Sequence, residues 1–272
     1  MGQEKRTAEF YVLATFFAVF VLFLYGPLSA ILMLSFQGPN GGLTFPLNGV
    51  SLRWFANLFE QQAVGDFGGS FRRSFMLGIM VMLVTVVVSL LAGLAFRRRF
   101  IGATPLFYLA VASLVVPSII ISLGIGVVFQ QVGFRPAWYS SGFGAHLTWT
   151  LPFGVLIMFA VFNRFSPAYE EAARDLGATS WQTFAHVVLP MIAPSLIGVG
   201  LFGFTLSYDE FARTLMTAGT YNTLPLEIYG MTTNVTTPVL YALGTVTTLF
   251  SFLVIAGTLG IIMAMNRRRG RA

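Results

Sequence analysis

Long apolar runs separated by short polar stretches form the main pattern of this chain. Six of these runs contain no Asp, Glu, Lys or Arg. They cover residues 10–36, 74–96, 104–131, 147–162, 187–207 and 239–265. About 20 apolar residues cross the roughly 30 Å hydrocarbon core of a bilayer as a helix, and a helix satisfies its backbone groups internally. The pattern therefore predicts an all-α, polytopic membrane protein with six transmembrane helices.

Proline and flanking charge affect the interpretation of three of these runs. Pro117 lies in the middle of the third run and predicts a kink there. Pro190 and Pro194 allow the start of the fifth run to shift by several residues. The first run follows Lys5 and Arg6, as in a signal peptide, but it is longer than the roughly 7–15 residues of a cleavable apolar region. We therefore interpret it as a span.

The distribution of basic residues predicts which side of the membrane each loop occupies. An even number of spans puts both termini on one side, and 11 of the 16 Lys and Arg residues fall on that side. Because basic residues are enriched in cytoplasmic loops, both termini are predicted to be cytoplasmic. The predicted organisation is a cytoplasmic N-terminus over residues 1–9, a six-helix transmembrane domain over 10–265 and a basic cytoplasmic tail over 266–272.

Composition agrees with this organisation and removes several classes of function. The chain is 56% hydrophobic and 10% charged, whereas soluble domains carry roughly 25% charge. The net charge of +6 is concentrated at the ends of apolar runs, where it predicts topology and not nucleic-acid binding. Cysteine is absent, the two histidines fall on opposite predicted sides, and the single lysine, Lys5, lies in no phosphate-binding loop. We expect no metal site, no cofactor and no ATP site in this chain.

A polar stretch of about 20 residues, "EEAARDLGATSWQTFAHVVLP", interrupts the apolar pattern between the fourth and fifth runs. Ser166 and Pro167 are suited to the N-cap and first position of a helix. Gly177 is suited to the left-handed conformation that ends one, and Thr179 with Gln182 has the spacing of a capping box. These signals predict a cytoplasmic helical hairpin over about residues 163–190. Its aromatic side chains predict contact with a partner protein, because aromatic residues often anchor interfaces.

The same stretch resembles the "EAA" signature of permease subunits in binding-protein-dependent ABC importers. The matching positions are Glu171-Ala172-Ala173, Gly177 and Leu189-Pro190, with Val187 where the family most often has Ile. The stretches "SLVVPSIIISLGI" and "FTLSYDEFARTLMTAGTYNTLPLEIYGM" are also similar to second-permease components of the spermidine/putrescine-type subfamily. The resemblance implies the type I ABC importer permease fold in a bacterial inner membrane.

The resemblance also implies a set of partners. Two copies of a cytoplasmic ABC ATPase would bind ATP and Mg²⁺ and dock the hairpin. A second permease subunit, which we expect to be a different chain, would complete the pathway, and a periplasmic binding protein would deliver the solute. The ATPase contact that the resemblance implies consists of Glu171, Ala172, Ala173 and Gly177. From exposure and size, we add Arg174, Asp175, Trp181 and Phe184.

A candidate solute pathway follows the fifth run. Tyr208, Asp209 and Glu210 could offer carboxylates and an aromatic face to an ammonium group, which suits a polyamine or another amine-bearing solute. The alternative is that these carboxylates meet water at a helix end or pair with Arg213, four residues beyond Asp209.

Two other functions remain as alternatives. One is a secondary transporter driven by an ion gradient, although such carriers usually keep ionisable residues within their spans and the six runs have none. The other is an integral-membrane enzyme, for which we find no nucleophile or metal set. The sequence favours a non-catalytic permease subunit.

Overall fold

The computed structural model describes residues 7–60, 65–98, 100–234 and 238–269, and most of these residues are helical. This confirms the all-α, polytopic class predicted from the sequence. The helices, numbered in chain order, are α1 (Ala8–Leu34), α2 (Arg53–Asn57), α3 (Phe67–Phe96), α4 (Ala103–Ala112), α5 (Ser118–Gln131), α6 (Phe143–Arg164), α7 (Ala168–Asp175), α8 (Ser180–Thr183), α9 (Leu189–Tyr208), α10 (Leu224–Asn234) and α11 (Val239–Arg269). One π-helical turn, Trp138–Gly142, leads into α6, and another, Phe184–Val188, joins α8 to α9.

Five helical stretches in the described part of the chain are long and apolar enough to cross a membrane. They are Ala8–Leu34, Phe67–Phe96, Trp138–Arg164, Ser180–Tyr208 and Val239–Met265. The third predicted span is not one continuous helix: it is divided into α4 and α5, with a break over residues 113–117. Because proline has no backbone N–H and disfavours a helical residue before it, the kink predicted at Pro117 is a full break.

The helices extend beyond the apolar runs. The second span begins at Phe67 instead of residue 74, because Asp66 caps α3 by accepting a hydrogen bond from the backbone N–H of Gly69 at 2.8 Å. The fifth span forms one helical stretch with α8, so the shift allowed by its prolines moves its start back to Ser180. The charged and polar residues that bound the apolar runs therefore do not coincide with the ends of the helices.

The chain divides into two compact units. One comprises Met1–Gly65 with Gly230–Phe250, and the other Asp66–Tyr229 with Ser251–Ala272. In the first unit, the buried side chain of Gln37 organises the segment that follows α1. Its amide nitrogen lies 3.3 Å from the carbonyl oxygens of Gly42 and Thr44, and its amide oxygen accepts the N–H of Asn48 at 2.7 Å. The indole of Trp54 then donates to the Gln37 carbonyl at 2.6 Å.

In the second unit, α3 packs against α6 and α9 through small residues. A Cβ added at Gly154 of α6 would come within 2.1 Å of the Ser89 hydroxyl, and one added at Gly93 would come within 2.9 Å of Met158. Small residues allow such close approach of membrane helices, whose association depends on packing and on polar contacts. One polar contact is the 2.8 Å hydrogen bond between the hydroxyls of Thr85 and Thr150. Side chains from α6, α9 and the π-helical turn before α9 form a buried apolar cluster beside this contact.

Candidate functional site

The polar stretch between the fourth and fifth runs forms the predicted hairpin. Gly177 has a φ of +86°, and the N–H of Ala178 donates to the Ala173 carbonyl at 3.0 Å, which closes the end of α7. Thr179 and Gln182 form the predicted capping box at the start of α8. The left-handed turn and the capping box are therefore confirmed. The prediction for Ser166 is wrong, because Pro167 occupies the cap position and no side chain caps α7.

The hairpin exposes most of the residues predicted to contact an ATPase. Those exposed are Glu171, Ala172, Arg174, Asp175, Gly177 and Trp181, and those half-buried are Ala173 and Phe184. The Trp181 side chain is 71% exposed, and its ring lies 5.7 Å from that of Phe184. Leu176 at the tip is 90% exposed. Large apolar side chains on a short polar hairpin form a surface suited to a partner.

One ion pair joins the hairpin to the end of α3, and a second lies within α7. Arg97, directly after α3, donates to Glu170 of α7 at 2.6 Å, and Arg174 lies 3.7 Å from the same carboxylate. The Arg97 guanidinium also lies over the rings of Phe162 and Phe165, at 5.2 and 5.4 Å from their centroids. Arg97 therefore connects the end of α3 to α7 and to the rings at the end of α6.

A second polar site surrounds Arg213, whose side chain is fully buried. Its Nη1 donates to the Ser118 hydroxyl at 2.6 Å, and its Nε donates to the Thr148 hydroxyl at 3.2 Å. The guanidinium lies 4.6 Å from the centroid of the Trp149 ring. The Glu210 carboxylate accepts the backbone N–H of Arg213 at 2.9 Å and lies 3.9 Å from its guanidinium. One cation is thereby connected to α5, to α6 and to a carboxylate.

The chain on either side of Arg213 folds back against the spans. We call residues 209–223 the re-entrant segment. The Ser122 hydroxyl of α5 accepts the backbone N–H of Met216 at 3.0 Å, and the Ser141 hydroxyl, before α6, donates to the Thr217 carbonyl at 2.7 Å. Hydroxyl groups of α5 and of the turn before α6 therefore satisfy two backbone groups of this non-helical segment.

The Arg213 guanidinium contacts two of the apolar runs, the third near its midpoint and the fourth at its second residue. Ser118, its partner, is close to the midpoint of the third run. Thr148, its other partner, is two residues from Thr150, which is bonded to Thr85 at the centre of the second run. Ionisable residues buried among membrane spans are costly unless they are paired, and they are associated with function. The sequence placed Arg213 in an outer loop, and nothing in its local pattern indicated burial.

The three predicted pathway residues differ in their surroundings. Tyr208 is buried, and its ring is stacked on that of Phe204 at 5.8 Å. Glu210 is engaged with Arg213, as the alternative interpretation allowed, whereas no ion pair is found for Asp209 in the described ranges. Asp209 lies at the end of α9 with part of its surface exposed, and partial burial desolvates its carboxyl and raises its pKa above the usual value of 3.8. Asp209 is therefore the more exposed of the two carboxylates.

This geometry changes one argument made from the sequence. The apolar runs contain no ionisable residue, and we used that against an ion-gradient carrier. The re-entrant segment nevertheless brings Arg213 and Glu210 to the level of the spans. The lack of charge in the apolar runs therefore does not discriminate between an ATP-driven importer and an ion-gradient carrier.

The described residues contain no group of three or more His, Asp or Glu side chains that could hold a metal ion. His146 is buried in α6, with its Nδ1 2.8 Å from the Ser207 hydroxyl. His186 lies on the hairpin side, with its Nδ1 3.1 Å from the Gln182 carbonyl oxygen. Each histidine therefore has a local hydrogen-bonding partner.

An all-helical polytopic chain with an exposed, capped hairpin between two spans has the architecture of a transporter's membrane subunit. Comparison with protein families agrees: the model for the inner membrane component of binding-protein-dependent transport systems matches residues 85–269. The chain belongs to this family of ABC importer permeases.

Curated relatives resemble almost the whole chain at modest identity. The spermidine/putrescine transport system permease protein PotC of Haemophilus influenzae is 27% identical over 245 residues, covering 88% of this chain and 91% of the relative. PotC of Escherichia coli is 24% identical over 257 residues, covering 94% of each. The putrescine permease protein PotI of Escherichia coli is 26% identical over 248 residues, covering 88% of this chain and 84% of the relative.

Solved structures share the fold. A bacterial ABC transporter involved in import of the acidic polysaccharide alginate matches with a TM-score of 0.64 at 16% identity, covering 97% of this chain and 99% of that chain. The MetNI methionine ABC transporter, in inward-facing conformations, matches with a TM-score of 0.59 at 18% identity, covering 73% and 95%. The named cargoes of these two transporters differ chemically, so the shared fold does not specify a solute.

Proposed function

We propose that the chain forms half of the translocation pathway of an ATP-driven importer and is moved through its hairpin by a separate cytoplasmic ATPase. The observation that carries this proposal is the hairpin itself: an exposed surface with Trp181 at its edge, closed by Gly177 and held by the Arg97–Glu170 ion pair. A surface that is exposed and yet fixed can transmit the displacement of a partner. ATP and Mg²⁺ are bound by that partner, and two copies of it serve two permease subunits.

The Arg97–Glu170 ion pair supports a route by which force reaches the spans. The Glu170 carboxylate pairs with Arg97, directly after α3, and with Arg174, in its own helix α7. A displacement of α7 therefore moves the end of α3, which packs along α6 and α9 through their small residues. Nucleotide must favour the closed ATPase arrangement for this coupling to shift the bundle between inward-facing and outward-facing states.

We further propose an amine-bearing solute, with polyamines as the best candidates. The curated relatives with this cargo in their names support the proposal, as does the exposed Asp209 carboxylate. In this scheme, Asp209 attracts an ammonium group, while Glu210 balances the charge of Arg213. A second permease subunit of different sequence completes the pathway, and a periplasmic binding protein delivers the solute. Both termini lie in the bacterial cytoplasm, and the chain spans the inner membrane.

The source of energy is tested with the permease complex reconstituted in vesicles with its ATPase and with its periplasmic binding protein on the opposite side. We expect spermidine or putrescine uptake to require ATP on the hairpin side and to be insensitive to a collapsed proton gradient. Uptake by the permease without the ATPase, driven by a proton gradient, would instead identify a secondary transporter.

The solute contact is tested separately by measuring uptake by D209N and E210Q. We expect D209N to raise the half-saturating polyamine concentration about tenfold, the effect of losing one charge-assisted hydrogen bond. Wild-type affinity and rate in both variants would refute a pathway role for these carboxylates and leave the ATPase coupling unaffected.

A further inference from the structure

A cavity of about 640 Å³ lies between the end of α3 and the hairpin. This volume is within the roughly 300–1,000 Å³ of small-molecule sites. Its polar wall includes Arg97, Arg98 and Arg174, with Glu170 as the one acidic side chain among the lining residues. The formal charge of these four groups is +2, so the cavity favours an anion.

The arginines are not equivalent. Arg97 and Arg174 share the Glu170 carboxylate, at 2.6 and 3.7 Å. The guanidinium of Arg98 is exposed and has no ion pair or hydrogen bond within the described ranges. Arg98 therefore supplies a positive charge that the fold does not neutralise. Because guanidinium groups match phosphate oxygens in geometry and charge, the cavity is suited to a phosphate group.

The rest of the lining consists of two hydroxyl side chains, Ser180 and Thr183, and four apolar residues. Leu94 and Ala95 are in the last turn of α3, and Phe184 and Val188 are in the turn that leads into α9. The cavity thus extends from charged residues beyond the apolar runs to apolar residues within them. A ligand that fits both parts has a phosphate at one end and hydrocarbon at the other.

We propose that this cavity binds the phosphate headgroup of an anionic phospholipid, such as phosphatidylglycerol, with Arg98 as the main contact and the acyl chains lying against the apolar walls. Basic cavities between transmembrane helices on the cytoplasmic side are suited to such headgroups. The bound lipid contacts both α3 and the hairpin, so it stabilises their arrangement. Free phosphate shares the headgroup chemistry but cannot use the apolar walls.

The test uses the full permease complex in nanodiscs of phosphatidylcholine with phosphatidylglycerol, and native mass spectrometry counts the phosphatidylglycerol molecules retained. The variants are R98Q, which removes the charge, R98K, which keeps it, and R164Q. Arg164 is an exposed arginine at the hairpin-side end of α6 that does not line the cavity, which makes it a matched control. We expect R98Q to lower retention about fivefold, the factor for one basic residue at a membrane surface, and R98K and R164Q to retain the wild-type amount.

Two further measurements distinguish other ligands. Added inorganic phosphate should not displace the lipid, and displacement would show that the site takes a free anion. The ATPase should co-purify with R98Q as it does with the wild type, and its loss would assign Arg98 to the ATPase contact. Unchanged lipid retention in R98Q, or an equal loss in R164Q, would also overturn the proposal.

Discussion

Replacement of Arg213 by methionine tests the buried polar site most sharply. Methionine keeps an unbranched apolar stem but removes the hydrogen bonds to Ser118 and Thr148 and the contact with the Trp149 ring. Two hydrogen bonds from a charged donor contribute about 1.5 kcal/mol or more each, and the cation–π contact adds about 0.5–2 kcal/mol. The Glu210 carboxylate also loses its counter-charge. We expect R213M to lower the free energy of unfolding by about 3–5 kcal/mol, the typical cost of breaking a buried pair.

The assay is denaturant unfolding of the purified permease complex, followed by tryptophan fluorescence, to which Trp149 contributes. R135M is the matched control, because Arg135 is exposed and has no ion pair in the described ranges. We expect its effect to stay within about 0.5 kcal/mol. R213K keeps the charge but loses the planar group, so its stability should fall between those of R213M and the wild type.

A double variant tests whether the Glu210 charge contributes. Glutamine at position 210 can still accept the backbone N–H of Arg213 but carries no charge. We expect E210Q to recover part of the loss in R213M, with a coupling energy of about 0.5–3 kcal/mol. An effect of R213M no larger than that of R135M would refute the assignment of Arg213 to the centre of this site.

Three other predictions concern single positions. G177V should reduce solute-stimulated ATP hydrolysis without preventing membrane insertion, because a left-handed φ costs a residue with Cβ about 1–2 kcal/mol. G177N should retain coupling, because asparagine tolerates this conformation. Equal ATP hydrolysis by the two variants would contradict this reasoning. G154V should destabilise the complex by about 1–3 kcal/mol in thermal unfolding, since its Cβ would meet the Ser89 hydroxyl at 2.1 Å, and a wild-type midpoint would refute that packing. Because the pKa of the Asp209 carboxyl is raised, this carboxylate should become protonated while the pH is still above 3.8. We expect polyamine uptake to fall as Asp209 is protonated, and we expect uptake by D209N to lack this fall.

The structural features that the sequence predicted correctly depend on residues that are close together in the chain. The left-handed turn at Gly177 and the capping box of Thr179 and Gln182 require only contacts within a few positions, so their spacing was sufficient. The break at Pro117 was predicted as a kink, because the amino-acid type shows that a helix is disturbed but not how far it opens.

The Arg213 site could not be predicted in the same way. Its hydrogen-bonding partners Ser118 and Thr148 lie 95 and 65 positions away in the chain, and neither carries a charge that suggests pairing. A loop that folds back among spans has the same composition as one that stays at the surface. The cavity beside Arg98 was missed for a related reason, since Arg98 and the hairpin residues that line it are more than 70 positions apart in the chain.

The central claim is that an external ATPase acts on the chain through the hairpin, and cross-linking from that position tests it most directly. The chain has no cysteine, so W181C introduces a single thiol at an exposed site, and Y139C, at a residue 59% exposed before α6, serves as the control. Each variant is labelled in native membranes with a photoactivatable thiol reagent. We expect W181C to cross-link to an ATP-hydrolysing subunit and Y139C to give no such product. Labelling of W181C by a membrane-impermeant reagent from the periplasmic side, or cross-linking to no ATPase, would contradict the account.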